Sequence, residues 1–187
     1  MNRRTPIKTA RNTAQEATLH LRPMLAADLP AVMMLERQSQ PTPWPAWCFR
    51  RLLRKKASAW VYEQNGKILG FGIMFCARNW AHIMNLCVAP AYQRHGLGRR
   101  MLCHLLQVAR SHGAVWAWLE VRPTNRIAIA LYKNLRFRQK GRRRGYYRQS
   151  PKGQRDAVVM TRGLKAGLFA GINDEVALRF TANTFRH

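Results

Sequence analysis

The sequence predicts an α/β or α+β fold with a mixed sheet, on three observations. A leading strand is followed by two short helical stretches, strands and helices then interleave as far as position 161, and Gln64-Asn65-Gly66 marks a hairpin within that run. Nothing repeats.

In order, residues 19–25 alternate polar and apolar like a short strand ending near Pro23. Asp28 is placed to cap a helix whose second residue is Pro30 and whose apolar positions include Val32, Met33 and Leu35. Three prolines make Gln40–Pro45 a rigid loop, and a short basic helix follows through Leu52 and Leu53. Ser58–Glu63 and Lys67–Ala77 flank the Asn-Gly turn, and His82–Val88 is a further strand stopped by Pro90. Leu97, Met101, Leu102, Leu105, Leu106 and Ala109 form a helical stripe that ends at Gly113. Val115–Val121 reads as a buried strand, and Thr124 or Asn125 starts a helix with Ile127, Ala128, Leu131 and Leu135 along one side. Arg138–Tyr147 and Ala157–Thr161 are expected to pair as a last hairpin.

The 187 residues, 47% apolar with six Trp, suffice for one domain over 19–163. A basic flexible tail (1–18) precedes it, and an extension (164–187) with no assigned structure follows. The first segment weakly mimics an organelle transit peptide, although a disordered tail is the preferred reading. A net charge of +25 argues for an anionic neighbour such as nucleic acid, ribosome, acidic protein or membrane surface, or else for a solubility bias. Cys48, Cys76, Cys87 and Cys103 lack C-x-x-C spacing and lie in apolar stretches, which points to buried, reduced thiols in the cytoplasm. The six histidines lack metal-site spacing, and no apolar run reaches the roughly 18 residues of a membrane helix.

Two motifs carry chemistry. Gln93-Arg94-His95-Gly96-Leu97-Gly98-Arg99 follows a strand and opens a helix. Glycines there let backbone approach a ligand, and the free N–H groups at a helix start favour a diphosphate. The third glycine of a dinucleotide fingerprint is replaced by Met101, and the Gly-Lys-Ser/Thr of a P-loop is missing. The second motif is Glu120, the one carboxylate from Gln64 to Arg155 among eighteen lysines and arginines. It is either a solvated charge at a strand end or a base for amine deprotonation. Tyr132, almost two helical turns beyond Asn125, is either a core residue or a proton donor to a departing thiolate.

Residues 20–162 resemble the GNAT superfamily of acetyl-CoA-dependent N-acetyltransferases. The matching stretches are 85–90 (Asn-Leu-Cys-Val-Ala-Pro), 92–99, 119–125 (Leu-Glu-Val-Arg-Pro-Thr-Asn), 128–132 (Ala-Ile-Ala-Leu-Tyr) and Tyr146-Tyr147, with Pro43-Trp44 and Phe49 in the first loop. Within it the chain also resembles the bacterial ribosomal-protein-alanine N-acetyltransferases, which acetylate the N-terminal alanine of small-subunit protein S18. The resemblance implies a splayed mixed sheet of about seven strands flanked by about four helices. It also implies acetyl-CoA as cosubstrate and no metal, with pantetheine along Leu86, Cys87 and Val88 and the diphosphate on Arg94, His95, Gly96, Leu97, Gly98 and Arg99. Asn125 would touch the cofactor, Glu120 would accept a proton and Tyr132 would donate one. A backbone N–H near Val88 would steady the oxyanion, a contact typically worth about 3 kcal/mol. Partners would be a protein N-terminus such as S18 and, through the basic excess, ribosomal RNA. Two departures stand out: Arg136 replaces a family glycine after the tyrosine helix, and nine cations crowd 136–155 beside the expected peptide entrance.

Overall fold

The computed structural model describes residues 18–55, 57–147 and 155–164, so the expectations for the tail before 18 and the extension beyond 164 lie outside the described residues. Its seven strands are β1 (His20–Pro23), β2 (Ser58–Gln64), β3 (Lys67–Ala77), β4 (Trp80–Val88), β5 (Trp116–Val121), β6 (Arg138–Arg143) and β7 (Ala157–Gly163). The helices are α1 (Leu29–Ser39), α2 (Ala46–Arg54), α3 (Leu97–Ser111) and α4 (Arg126–Asn134). The sheet order is β1-β2-β3-β4-β5-β7-β6, with β4–β5 the parallel pair in an otherwise antiparallel ladder. This is the mixed sheet with four helices that the sequence predicts.

The two faces of the sheet hold separate cores, as strand alternation requires. Val32 and Leu35 of α1 and Phe49 of α2 pack on Val61, Phe71 and Ile73. On the opposite face Met101, Leu102 and Leu105 of α3 pack with Met74, Ile83 and Leu119. Gly72 makes that second contact close: a Cβ there would lie 2.7 Å from Met101 Cγ, so any larger residue would force the Met101 side chain to shift.

The most consequential feature is where β4 and β5 part. They pair only from Trp80↔Trp116 to Ile83↔Leu119. At that point the β3–β4 register shifts, Ile73 facing Asn85 while Met74 faces Ile83, which leaves Met84 as an extra residue. Such a bulge bends its strand. Beyond it Asn85–Val88 have no partner on β5, and a gap opens between strands.

Three local expectations need correction. Asp28 does not cap α1 with its side chain; its carboxylate accepts from the Leu25 N–H at 2.7 Å and binds Arg22 at 2.7 and 2.8 Å. The Arg22 guanidinium draws that carboxyl below the ordinary aspartate value. β4 begins at Trp80 rather than His82, because Arg78, left-handed at φ +48°, closes a tight turn from β3. The four cysteines are free, but Cys103 is exposed on α3 and only Cys87 is buried.

Candidate active site

The gap between β4 and β5 continues into a groove of about 590 Å³. Asn85 and Leu86 of β4, Glu120 of β5, Ala128 and Tyr132 of α4, and Trp44 of the Pro-rich loop contribute to its wall. Sheet divergence therefore brings the acid and the phenol from separate strand and helix onto one surface.

Glu120 does not point into open water. Its side chain is 2% exposed. His82 Nε2 meets Oε2 at 2.7 Å and Arg143 Nη1 donates to Oε1 at 2.9 Å. In the tautomer with the proton on His82 Nε2, both carboxylate oxygens receive a donor. His82 is itself fixed: its ring stacks on Trp118 with centroids 3.6 Å apart and planes 6° from parallel. The parallel register of β4 and β5 sets His82 opposite Trp118, and Glu120 follows two residues along on the same face.

Tyr132 lies in the last full turn of α4, packed on Phe137 with ring centroids 5.9 Å apart. Burial, reinforced by Tyr147, pushes its pKa well above the ordinary phenol value, so it remains a protonated donor. Asn125 caps α4, its Oδ1 accepting from the Ala128 N–H at 3.1 Å, and also lines the groove. The side-chain oxygen is thereby committed to the helix.

Outside the groove's lining, where Leu86 and Leu131 lie beside Gly98, Gly96 is the N-cap of α3 at φ +81°, a conformation that disfavours any side chain. Arg100 is the first α3 residue whose N–H bonds back, to Gly96 O at 3.0 Å. The N–H groups of Leu97, Gly98 and Arg99 precede the helical ladder, no acid occupies the first turn, and Arg94, Arg99 and Arg100 are exposed beside them. A Cβ at Gly96 would meet nothing within 4 Å, so open space lies beside these amides. This arrangement fits a diphosphate. The Gln93 side chain donates to Val88 O at 3.0 Å and fastens the turn to β4, which takes up one of the strand carbonyls expected for pantetheine.

Two contacts tie down the Pro-rich loop that lines the groove. Buried Glu36 on α1 accepts from the Trp44 N–H at 3.1 Å and so pins the Pro-rich loop over the groove. Burial raises the Glu36 pKa, against the opposing pull of the Trp44 N–H and Asn85. Arg122, just after β5, donates to Thr42 Oγ1 and lies 3.7 Å over the Tyr147 ring, joining that loop to the β6–β7 side. Among the described residues, no three His, Cys, Asp or Glu gather as a metal site would require.

Known proteins resemble this chain in sequence and in fold. Residues 26–137 match the model of the acetyltransferase (GNAT) family. The [ribosomal protein bS18]-alanine N-acetyltransferase of Escherichia coli K12 is 38% identical over 133 residues, covering 71% of this chain and 89% of that protein. This chain belongs to the GNAT acetyltransferase family. The N-alpha-acetyltransferase RimI of Mycobacterium tuberculosis is 39% identical over 125 residues, covering 64% of this chain and 75% of its own. The crystal structure of the ribosomal-protein-S18-alanine N-acetyltransferase from Escherichia coli superposes with a TM-score of 0.73 at 33% identity, over 83% of this chain and all of that one. The chain is therefore an N-acetyltransferase, of a family that draws on acetyl-CoA.

Sequence reasoning gave no role to four residues that this candidate site brings together: His82, Arg143, Glu36 and Arg122. A lone histidine in an apolar strand carries no signal until the β4–β5 register is known. Arg143 was one of many cations in its segment, and the crowding resolves on inspection: Arg143 turns inward to Glu120, while Arg138, Lys140, Arg142 and Arg144 are exposed.

Arg136, in place of the family glycine, is left-handed at φ +62°. Its N–H bonds Lys133 O at 2.8 Å and the Phe137 N–H bonds Tyr132 O at 2.9 Å, the paired bonds of a Schellman cap. The loop geometry survives the substitution.

Proposed function

We propose that this GNAT enzyme transfers the acetyl group of acetyl-CoA to the N-terminal α-amine of a protein, an S18-type ribosomal alanine being the acceptor its relatives' names suggest. The observation that carries the reading is the Glu120 carboxylate, buried in the groove wall with its two oxygens held by His82 and Arg143.

The α-ammonium gives up its proton to Glu120, directly or across one water. The freed amine attacks the thioester carbonyl, the tetrahedral adduct collapses with cleavage of the C–S bond, the departing thiolate takes the Tyr132 proton, and the second proton shed by the nitrogen passes through water to restore the phenol. Burial keeps Tyr132 protonated before the thiolate forms. The backbone amides of Gly96–Arg99 and their flanking arginines hold the diphosphate, the β4 edge at Leu86, Cys87 and Val88 aligns the pantetheine, and Asn125 bounds the channel. No metal takes part in this scheme.

The free cysteines suit a reducing compartment, so we place the enzyme in the cytoplasm. The outward cations of β6 offer a surface for ribosomal RNA, and such contact should weaken steeply with salt.

The test is mass spectrometry of a peptide panel incubated with acetyl-CoA. An Ala-initiated S18-like peptide should gain one acetyl on its α-amine, and the same peptide with a blocked N-terminus should gain none on its lysines. Acetylation of the blocked peptide alone would overturn the N-terminal assignment.

A further inference from the structure

Beside the groove lies a second chamber of about 270 Å³ that the chemistry above does not use. Its walls are apolar: Trp47 and Leu52 from α2, Phe75 from β3 and Met84, the bulge residue of β4. His82 forms part of its lining and Trp44, Trp47 and Tyr146 belong to both spaces, so the chamber opens next to the reacting carboxylate. Arg51 of α2, Lys55 just after it and Arg143 of β6 also stand at its lining, and among the described residues no Asp or Glu lines it. Trp47 is 58% exposed, an unusual state for so large an apolar side chain at a cavity mouth.

From these observations, and resting on the N-terminal acetylation reading, we infer that the chamber is a specificity subsite for a large apolar, preferably aromatic, side chain on one of the two acceptor residues after the reacting one. The volume accommodates one aromatic ring, which would leave water for walls of Trp, Phe, Leu and Met. Arg51 and Lys55 then act twice. They can lie against the face of a bound ring, and they repel a cationic side chain that tries to enter. An aliphatic or carboxylate occupant would use only half of this lining. The bulge at Met84 has a second consequence here: the same extra residue that parts β4 from β5 supplies one wall of the subsite.

The test uses Ala-initiated peptides that differ only at positions two and three, carrying Gly, Phe, Lys or Glu. Acetylation is followed by CoA release, and binding to CoA-saturated enzyme by calorimetry. Phe at one of the two positions should raise kcat/KM at least about tenfold over Gly, and Lys at that position should fall below Gly. Cys48→Phe, which fills the chamber from α2, should bring Phe and Gly peptides to parity while leaving the Gly peptide's rate unchanged. Arg51→Met, a milder change on the rim, should cut the Phe preference about two- to fivefold.

Equal acetylation of all four peptides, or preference for Glu, overturns the subsite while leaving the acetyl transfer intact. Selective binding of the Phe peptide without acetylation upholds the subsite and overturns the activity. Absence of any binding overturns both.

Discussion

At the Gly96 turn, the groups suited to a ligand are main-chain amides in one contiguous stretch, whereas around Glu120 they are side chains delivered by α1, β4, β5, α4 and β6. The first needs a positive-φ glycine and a helix behind it, both specified by seven consecutive residues. The second needs the register of three strands to be correct, since a one-residue slip would turn His82 or Glu120 to the other face. A cosubstrate shared by a whole family suits the rigid, backbone-made end. An acceptor that varies suits the end where single side chains can change.

This contrast can be broken at either end. The largest effect is expected from Glu120→Gln, which keeps the shape but removes the proton acceptor: turnover should fall about 10²- to 10⁴-fold with the acetyl-CoA Kd unchanged, by steady-state kinetics and calorimetry. Tyr132→Phe should lower kcat about 10²-fold, at the lower edge of that range, because water can still protonate a thiolate whose pKa is near 8.5. A Gly96→Ala change acts at the other end. The added Cβ is strained at φ +81° and projects into the space beside the free amides, so the acetyl-CoA Kd should rise about tenfold while kcat at saturation holds. If Gly96→Ala lowered kcat instead, the division between the two ends would fail.

The smallest effect concerns two helix ends that use the same cap. α3 closes with Gly113 at φ +82°, and α4 closes with Arg136 at φ +62°, each with the same pair of backbone bonds. Only glycine holds that conformation without a Cβ penalty. Arg136→Gly should therefore stabilise the fold by about 0.5–1 kcal/mol, read as a higher urea midpoint, with kinetics untouched. Destabilisation would mean that the arginine side chain does more than tolerate its position.

The same division explains what could be read in advance. Asn65-Gly66, the α3 stripe and the Q-R-x-G-x-G-R turn are local signals, and each forms where its residues predict. Glu120 was legible because an acid alone among cations is conspicuous. Its partners were not. His82 is 38 residues away and Arg143 lies 23 residues beyond, and only the β4–β5–β7–β6 order gathers them. Glu36 sits 8 residues before Trp44, yet it reads as an ordinary helix carboxylate until burial is known. Asp28 takes the N-cap position its residue type predicts, but Arg22 competes for its carboxylate with two charge-assisted bonds, so the side-chain cap is absent. The Arg78 turn escaped notice because it achieves a left-handed residue without glycine.

The pH dependence of Glu120→Gln tests the central claim most directly. An N-terminal α-amine has a reference pKa of about 7.7–8.0, so solvent itself supplies the free amine above that range. If Glu120 removes the ammonium proton, the single-turnover deficit of the variant should be largest near pH 6 and shrink steadily as pH passes 8. A deficit that stays constant across the whole range would contradict proton acceptance by Glu120 and leave it a purely architectural residue.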